Sequence, residues 1–272
     1  MIIHGGPGGN NYAFERTIGL RLEQFTTVIY YEQRGCGRSA APADPNAYSL
    51  PLLVADLGAL PQAWRQERII PLGYSFGGEV ALEYALTHPE CVSKLIVQAP
   101  GVGDPDQIAY VQLAGFRLVA RGEVKHAVQQ ILAEDSSPRD RLAKVWQAVD
   151  RETVDCFLFH NRDAARLNRQ LWQESGLVNT GQMERALARQ PRSSPSLQER
   201  LPLVRVPTLV IVGLYDRNSG VDVNRDVATL IPHAELALFA QSAHFPDMEE
   251  PDRYAAAIKA SIRPSSGRTE VQ

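Results

Sequence analysis

The chain has 272 residues, 44% of them hydrophobic, so it can bury a large core and has room for one domain plus an appended helical unit. A net charge of −3 offers no cationic footprint for nucleic acid, and no apolar run approaches the roughly 18–20 residues that span a membrane. Three widely spaced cysteines, Cys36, Cys91 and Cys156, do not make a disulfide framework, and the expected compartment is the cytoplasm.

The chain opens on Met1-Ile2-Ile3, an apolar strand end that runs into His4-Gly5-Gly6-Pro7-Gly8-Gly9-Asn10. Glycine there lets bare backbone approach a substrate. The loop lacks the Gly-Lys-Ser/Thr ending of a phosphate cradle, and its spacing departs from the dinucleotide fingerprint, so no nucleotide cofactor is expected. Thr26 to Glu32 reads as a strand, and Ser49 to Trp64 as an amphipathic helix that Pro61 bends or ends. Ile69 to Leu72 is a short apolar run, followed by Gly73-Tyr74-Ser75-Phe76-Gly77 and a helical pattern from Glu79 to Thr87. Val92 to Val97 reads as the next strand. From about residue 103 to 201 strand-like runs disappear while helical periodicity continues, which suggests a helical cap inserted into the core. Its exit, Gln190 to Ser196, reads as a loop and hinge. Pro207 to Gly213 and Glu235 to Phe239 are strand-like again, with a helix starting near Val221 between them, and Arg263 to Gln272 has the composition of a frayed tail. Strands alternating with helices imply a mainly parallel sheet covered on both faces. The expected division is a core of 1–102 and 202–264, a cap of 103–201 and a tail of 265–272.

The stretch around Ser75 carries the chemistry. A Gly-x-Ser-x-Gly turn between strand and helix lifts a serine hydroxyl above the sheet and sets it at a helix N-terminus, where amide groups stabilise developing negative charge. Two partners follow in order. Asp216 ends the strand of Pro207 to Gly213 on a loop, and His244 follows Glu235 to Phe239 after a polar turn. In that order His244 serves as general base and acid for Ser75, while Asp216 fixes the imidazole tautomer. The N–H groups of Gly6 and Phe76 are expected to bind the oxyanion. Asp222 and Asp226 compete with Asp216 but fall inside a helical pattern. Among the other histidines, His88 and His233 read as structural, His126 and His160 as cap residues, and His4 as a brace for the glycine loop. Arg34 and Arg38 read as loop braces and Cys36 and Cys91 as packing residues. No His, Cys or carboxylate cluster has metal-ligand spacing.

Together, His4 to Gly9, Glu32-Gln33-Arg34-Gly35-Cys36-Gly37-Arg38-Ser39, the Ser75 turn, Gly213-Leu214-Tyr215-Asp216-Arg217-Asn218 and His244-Phe245-Pro246-Asp247 resemble the proline iminopeptidase branch of the α/β-hydrolase superfamily. Glu32 stands where those proteins usually carry Asp. The resemblance implies an α/β-hydrolase fold: a mainly parallel central sheet flanked by helices, with a helical cap insertion. In that fold a strand or hairpin normally precedes the one ending in His-Gly-Gly. Either the leading strands are absent or Met1 is not the native start. The implied activity is that of a serine hydrolase releasing an N-terminal residue or cleaving a small amide, with a small molecule or short peptide as substrate. Its relatives place acidic cap residues, often beside tryptophan, against the substrate amine. Here Tyr74, and Glu174 in Leu171-Trp172-Gln173-Glu174, are the substrate-binding candidates. Asp163 and Glu152 stand behind Glu174. Two other readings remain: the same machinery acting on esters, thioesters or lactones, and a non-catalytic fold that binds a ligand or partner.

Overall fold

The longest apolar runs become neighbouring parallel strands, because a strand covered on both faces has no solvent side on which to place polar residues. A computed structural model describes residues 1–190 and 193–263. Its sheet contains β1 (Ile2–Ile3), β2 (Tyr30–Tyr31), β3 (Leu72–Tyr74), β4 (Leu95–Gln98), β5 (Thr208–Gly213) and β6 (Glu235–Phe239), in the order β2-β1-β3-β4-β5-β6. Every pairing is parallel, and one line of register runs Ile3, Gly73, Val97, Val210, Leu236 across five strands.

Helices α1 (Leu50–Ala63) and α2 (Phe76–Thr87) precede β4. Between β4 and β5 run α3 (Pro105–Val119), α4 (Gly122–Leu132), α5 (Pro138–Ala148), α6 (Arg151–Leu158), α7 (Arg162–Ser175) and α8 (Gln182–Ala188). Helix α9 (Val221–Leu230) follows β5, and α10 (Pro251–Ile262) follows β6. Alternate strand residues point to opposite faces, which sorts the core into two layers. Ile3, Val97 and Val210 pack with Leu53, Leu57, Val80, Tyr84 and Val227 of α1, α2 and α9. Ile2, Leu72, Ile96, Leu209 and Ile211 pack on the other side, with Phe14, Ile18 and Leu22 from the helical turns after the glycine loop and with Tyr254 and Ile258 of α10.

The helices between β4 and β5 are kept separate by their starts. Asp104, Ser137, Asp150 and Asn161 each accept backbone N–H groups of the helix they precede, and Pro105 and Pro138 occupy first helical positions. These helices have a core of their own. Phe116 and Phe157 stack at 3.9 Å, and Trp146 meets them edge-on at 4.8 and 5.6 Å. Hydrogen bonds at both ends of this helical segment tie it to the rest of the fold. The N–H of His244 donates to Leu158 O at 3.0 Å. The Glu249 carboxylate accepts from the N–H groups of His160 and Asn161 at 2.6 and 2.7 Å. Arg200 Nη1 donates to Glu83 Oε2 at 2.8 Å.

Two expected strands are shorter than their sequence runs. Thr26 to Glu32 narrows to Tyr30–Tyr31, because the Thr26 N–H closes the preceding helical turn on Leu22 O at 3.1 Å. The regular strand begins at Leu72, since Pro71 has no N–H to offer and joins the sheet only by its carbonyl, which accepts the Ile96 N–H at 3.0 Å, while Ile69 makes an isolated bridge to Val92. The strand expected over Val92 to Val97 accordingly sits at Leu95–Gln98. The expected tail at 265–272 lies outside the described residues, as do Pro191 and Arg192 of the expected hinge. No helix among the described residues is long and apolar enough to cross a membrane.

Strand β3 and helix α2 turn so tightly that a Cβ on Gly73 would lie 2.1 Å from Gly77 O, and one on Gly77 would lie 2.1 Å from Ile3 O. Both obstacles are backbone and cannot rotate away. Gly77→Ala is therefore expected to lose about 1–3 kcal/mol or more in urea unfolding. Gly58→Ala in α1, where the nearest heavy atom is 3.6 Å away, is expected to gain roughly 0.4–1 kcal/mol. Equal effects at the two positions would show that the close approach at α2 does not constrain the fold.

Candidate active site

Ser75 occupies the turn between β3 and α2 with φ 52° and ψ −127°, a conformation rarely adopted by a residue with a Cβ. Its N–H donates to Gln98 O and its carbonyl accepts from the Gly78 N–H, both at 2.8 Å, so the strained backbone is clamped on both sides. The glycine loop after β1 passes directly against it. A Cβ on Gly5 would lie 2.9 Å from both Ser75 Cβ and Tyr74 O. Gly6 has φ 139°, and a Cβ there would lie 2.5 Å from Gly8 N. Phe76 opens α2, so its N–H has no intrahelical acceptor. The Gly6 N–H has no backbone acceptor among the described residues.

His4 anchors the loop. Its ring is fully buried, with Nδ1 2.8 Å from Gly5 O and Nε2 accepting the Gln33 N–H at 3.1 Å. Burial pushes its pKa down to about 4, against the opposing influences of the Gly5 hydrogen bond and nearby Glu32, so the ring is neutral with its proton on Nδ1. Arg34 pairs bidentately with Asp56, both contacts at 2.6 Å, and donates to Ala47 O at 2.9 Å. Arg38 donates to the buried Glu32 carboxylate through Nε and Nη2, both at 3.1 Å. Both arginines are thus spent on the loop after β2. Burial pushes the Cys36 thiol up to about 12, so it packs as a neutral side chain.

Asp216 and His244 stand on loops at the carboxyl ends of β5 and β6. Both carboxylate oxygens of Asp216 lie 3.2 Å from His244 Nδ1. The same carboxylate accepts the N–H groups of Asn218 and Ser219 at 2.8 and 3.2 Å and the Ser219 hydroxyl at 2.5 Å. Burial by itself would raise the Asp216 pKa; the imidazole of His244 and the hydrogen bonds from His244, Ser219 and Asn218 outweigh it and hold the carboxyl below its usual range. An ionised carboxylate only accepts, so the His244 proton resides on Nδ1 and Nε2 presents its lone pair. Among the described residues the hydrogen-bonding partner of Nε2 is Asn218 Nδ2, at 3.1 Å, and Ser75 Oγ makes no hydrogen bond to it.

The rival residues lie elsewhere. Asp222 and Asp226 are exposed on α9, with Asp222 paired to Arg225 at 3.3 Å. His88 ends α2, His126 and His233 are exposed, and His160 stacks on Tyr215 at 4.0 Å.

A cavity of 340 Å³ joins the sheet to the helical segment. Ser75 and His244 line it with Gly5, Gly6 and Tyr74, while the helical segment contributes Trp146, Leu158, Asn168, Trp172 and Asn179. Tyr74 is fixed by its hydroxyl, which donates to Asn10 O at 2.9 Å, and by stacking on Phe14 at 5.6 Å. Glu174 is not brought to this site. Two residues along a helix turn the side chain through about 200°, so with Trp172 on the cavity Glu174 faces solvent, where it accepts from Gln170 Nε2 at 2.7 Å. Glu152 and Asp163 are also exposed and pair with Arg162 and Arg166.

Sequence reasoning did not assign a role to Asp247, the one acidic residue in the cavity wall among the described residues, or to Asn218. Asp247 is buried and accepts from Gln98 Nε2 at 2.7 Å. Both positions fall in segments that carried the family resemblance, but nothing local marks them as chemical. A second cavity of 420 Å³, walled by Arg121, Asp150, Arg162 and Arg217 among others, has neither Ser75 nor His244 in its lining.

Comparison with known proteins agrees with this architecture. The chain is 24% identical over 273 residues to a proline iminopeptidase of Heyndrickxia coagulans, covering 95% of this chain and 88% of that protein. It is 26% identical to a 2-hydroxy-6-oxononadienedioate/2-hydroxy-6-oxononatrienedioate hydrolase of Burkholderia vietnamiensis, with 97% and 86% covered. Among solved structures, a proline iminopeptidase-related protein of Thermus thermophilus superposes with a TM-score of 0.76 at 23% identity, over 96% of this chain and 87% of that one. The family described as alpha/beta hydrolase fold matches residues 1–251, and with a parallel sheet, a glycine loop and a strained serine turn in place, the chain belongs to that family of hydrolytic enzymes.

Proposed function

We propose that the protein is a serine hydrolase of small, uncharged acyl substrates, working through an acyl-enzyme on Ser75. The observation that carries this reading is the grip of Asp216 on His244 Nδ1 at 3.2 Å, which leaves Nε2 as the acceptor, facing the cavity that Ser75 lines. Ser75 Oγ attacks the substrate carbonyl and its proton passes to His244 Nε2. The imidazolium that forms is stabilised by Asp216, and the tetrahedral oxyanion is held by the N–H groups of Gly6 and Phe76. Collapse expels the leaving group, which takes the proton from His244. Water, deprotonated by the same nitrogen, then attacks the acyl-enzyme and regenerates Ser75.

Substrate preference follows from the cavity wall. An aminopeptidase holds a protonated amine, and a cation removed from water needs a carboxylate partner. The helical segment supplies tryptophan, leucine and asparagine to the wall, with Glu174 turned outward. That composition suits an ester, thioester, lactone or small amide with an uncharged acyl group. Asp247 favours a second reading, release of an N-terminal residue, in keeping with the activity named for the Heyndrickxia relative.

Ser75→Ala is expected to reduce cleavage of a short acyl aryl ester to background. A proline arylamide with a free amine and its N-blocked counterpart, assayed beside the ester, separate the two readings. Ester cleavage without a preference for the free amine supports the first reading, and selective cleavage of the free-amine arylamide supports the second. Full activity in Ser75→Ala would refute the mechanism, and silence of wild type on all three substrates would favour a binding role. Asp216→Asn is expected to lower kcat about 10³–10⁴-fold with an unchanged circular dichroism spectrum, because the amide no longer enforces the tautomer. Unchanged turnover would move the acid role to another residue.

Asp247 carries its own pH signature. Burial pushes its carboxyl up to about 6 from an ordinary 3.8, against the Gln98 hydrogen bond, which lowers it. The folded state therefore binds this proton more tightly than the unfolded chain. The associated stability is full below about pH 4 and is lost as pH rises through 6. Asp247→Asn is expected to unfold at higher urea than wild type at pH 8, by on the order of 1–3 kcal/mol, with the gain vanishing near pH 4. A gain of the same size at both pH values would show that Asp247 titrates normally.

A further inference from the structure

His244 Nε2 has one in-plane lone pair, and Asn218 Nδ2 donates to it at 3.1 Å. Chemistry fixes the direction of that bond. In the neutral ring that acts as base, Nδ1 donates to the ionised Asp216, so Nε2 can only accept, and of the two ends of the Asn218 amide only the NH₂ can donate. Ser75 must give its proton to the same lone pair if it is to act as the nucleophile. The Asn218 side chain therefore occupies the place that the Ser75 hydroxyl needs.

The backbone of Asn218 is fixed on both sides. Its N–H donates to Asp216 Oδ1 at 2.8 Å, and its carbonyl accepts from Gln112 Nε2 of α3 at 3.0 Å. Gln112 Oε1 in turn accepts from Trp146 Nε1 of α5 at 3.0 Å. Trp146 and Asn218 both line the cavity. The amide can thus leave Nε2 only by turning about its own side-chain bonds, and the residue is held in register by the helices that wall the cavity.

We propose that Asn218 is a positioning residue that competes with Ser75 for His244 Nε2, holding the imidazole in its base tautomer while setting how often the nitrogen is available to the nucleophile. This rests on the reading of Ser75, His244 and Asp216 as a catalytic set. It makes Asn218 a determinant of nucleophile reactivity that is independent of the acyl group being cleaved.

The test is the rate at which a small alkyl fluorophosphonate labels Ser75. In that reaction the Oγ–P bond forms, the P–F bond breaks, and the serine proton passes through His244 and leaves with fluoride. Asn218→Leu keeps the side chain's bulk without a donor, and Asn218→Ala removes both. Both variants are expected to label about five-fold faster than wild type, the scale of one net hydrogen bond. Circular dichroism and the thermal midpoint identify the folded variants to be compared. In two-bond ¹H–¹⁵N spectra the Nε2 resonance of His244, assigned with His244→Gln, is expected to move in both. Labelling that is unchanged or slower in the folded variants overturns the proposal, as does a stationary Nε2 resonance. If Ser75→Ala kept full esterase activity, the functional reading would fail instead, while the nitrogen spectrum would still report whether Asn218 caps Nε2.

Discussion

The site depends on one buried residue at the end of β4. The main-chain carbonyl of Gln98 takes the Ser75 N–H at 2.8 Å. Its side-chain amide donates to Asp247 at 2.7 Å and to His244 O at 3.3 Å, and its Oε1 accepts the Tyr254 hydroxyl at 2.7 Å. A single residue, 1% exposed, thus holds the strained serine turn through its backbone and the histidine loop, 146 positions further along the chain, through its side chain. In a low-dielectric interior such a network rigidifies only if its members are satisfied, and each polar atom of this Gln98 side chain has a partner. The positive φ of Ser75 persists because the surrounding backbone leaves it no alternative: Gly78 and Gln98 hold its peptide groups, while Gly73 and Gly77 permit the crossing that defines the turn.

The helical segment is bound to the same centre. It reaches the histidine loop through Leu158 to the His244 N–H and through His160 and Asn161 to Glu249, and the loop after β5 through Gln112 to Asn218 O. The opposite end of the segment is held by Arg200 on Glu83. The cavity between segment and sheet combines oriented polar groups with two tryptophans. Trp146 is rigid because Phe116 and Phe157 pack its ring and Gln112 takes its N–H. A wall with those properties is the basis of the proposed preference for uncharged acyl groups, recognised by shape and hydrogen bonding more than by charge.

Much of this was legible in the chain itself, for reasons that are local. The family, the parallel α/β architecture, and the order in which a serine, an aspartate and a histidine follow β3, β5 and β6 follow from contiguous patterns: apolar runs of strand length, helical periodicity, and glycines at spacings that a tight turn demands. Ser75 announces itself because its requirements fall within five residues. Asp216 and His244 do so because each stands just after a buried strand. Strand ends were less legible, since hydrogen bonds made elsewhere decide them; the Thr26 N–H is taken by Leu22 O, and Pro71 brings only a carbonyl, which accepts the Ile96 N–H.

The wall of the cavity was decided by tertiary structure alone. Trp172 lines the cavity and Glu174 faces water because of the rotation of α7, which depends on packing that no short segment encodes. Asn218 reached His244, and Asp247 reached Gln98, through contacts spanning 26 and 149 positions. By itself the sequence determined the fold family and the residues proposed to carry acyl transfer, because those are requirements on backbone and on single side chains. What surrounds them required the folded chain, because burial, helix rotation and the partner of each hydrogen bond depend on elements that meet only in three dimensions.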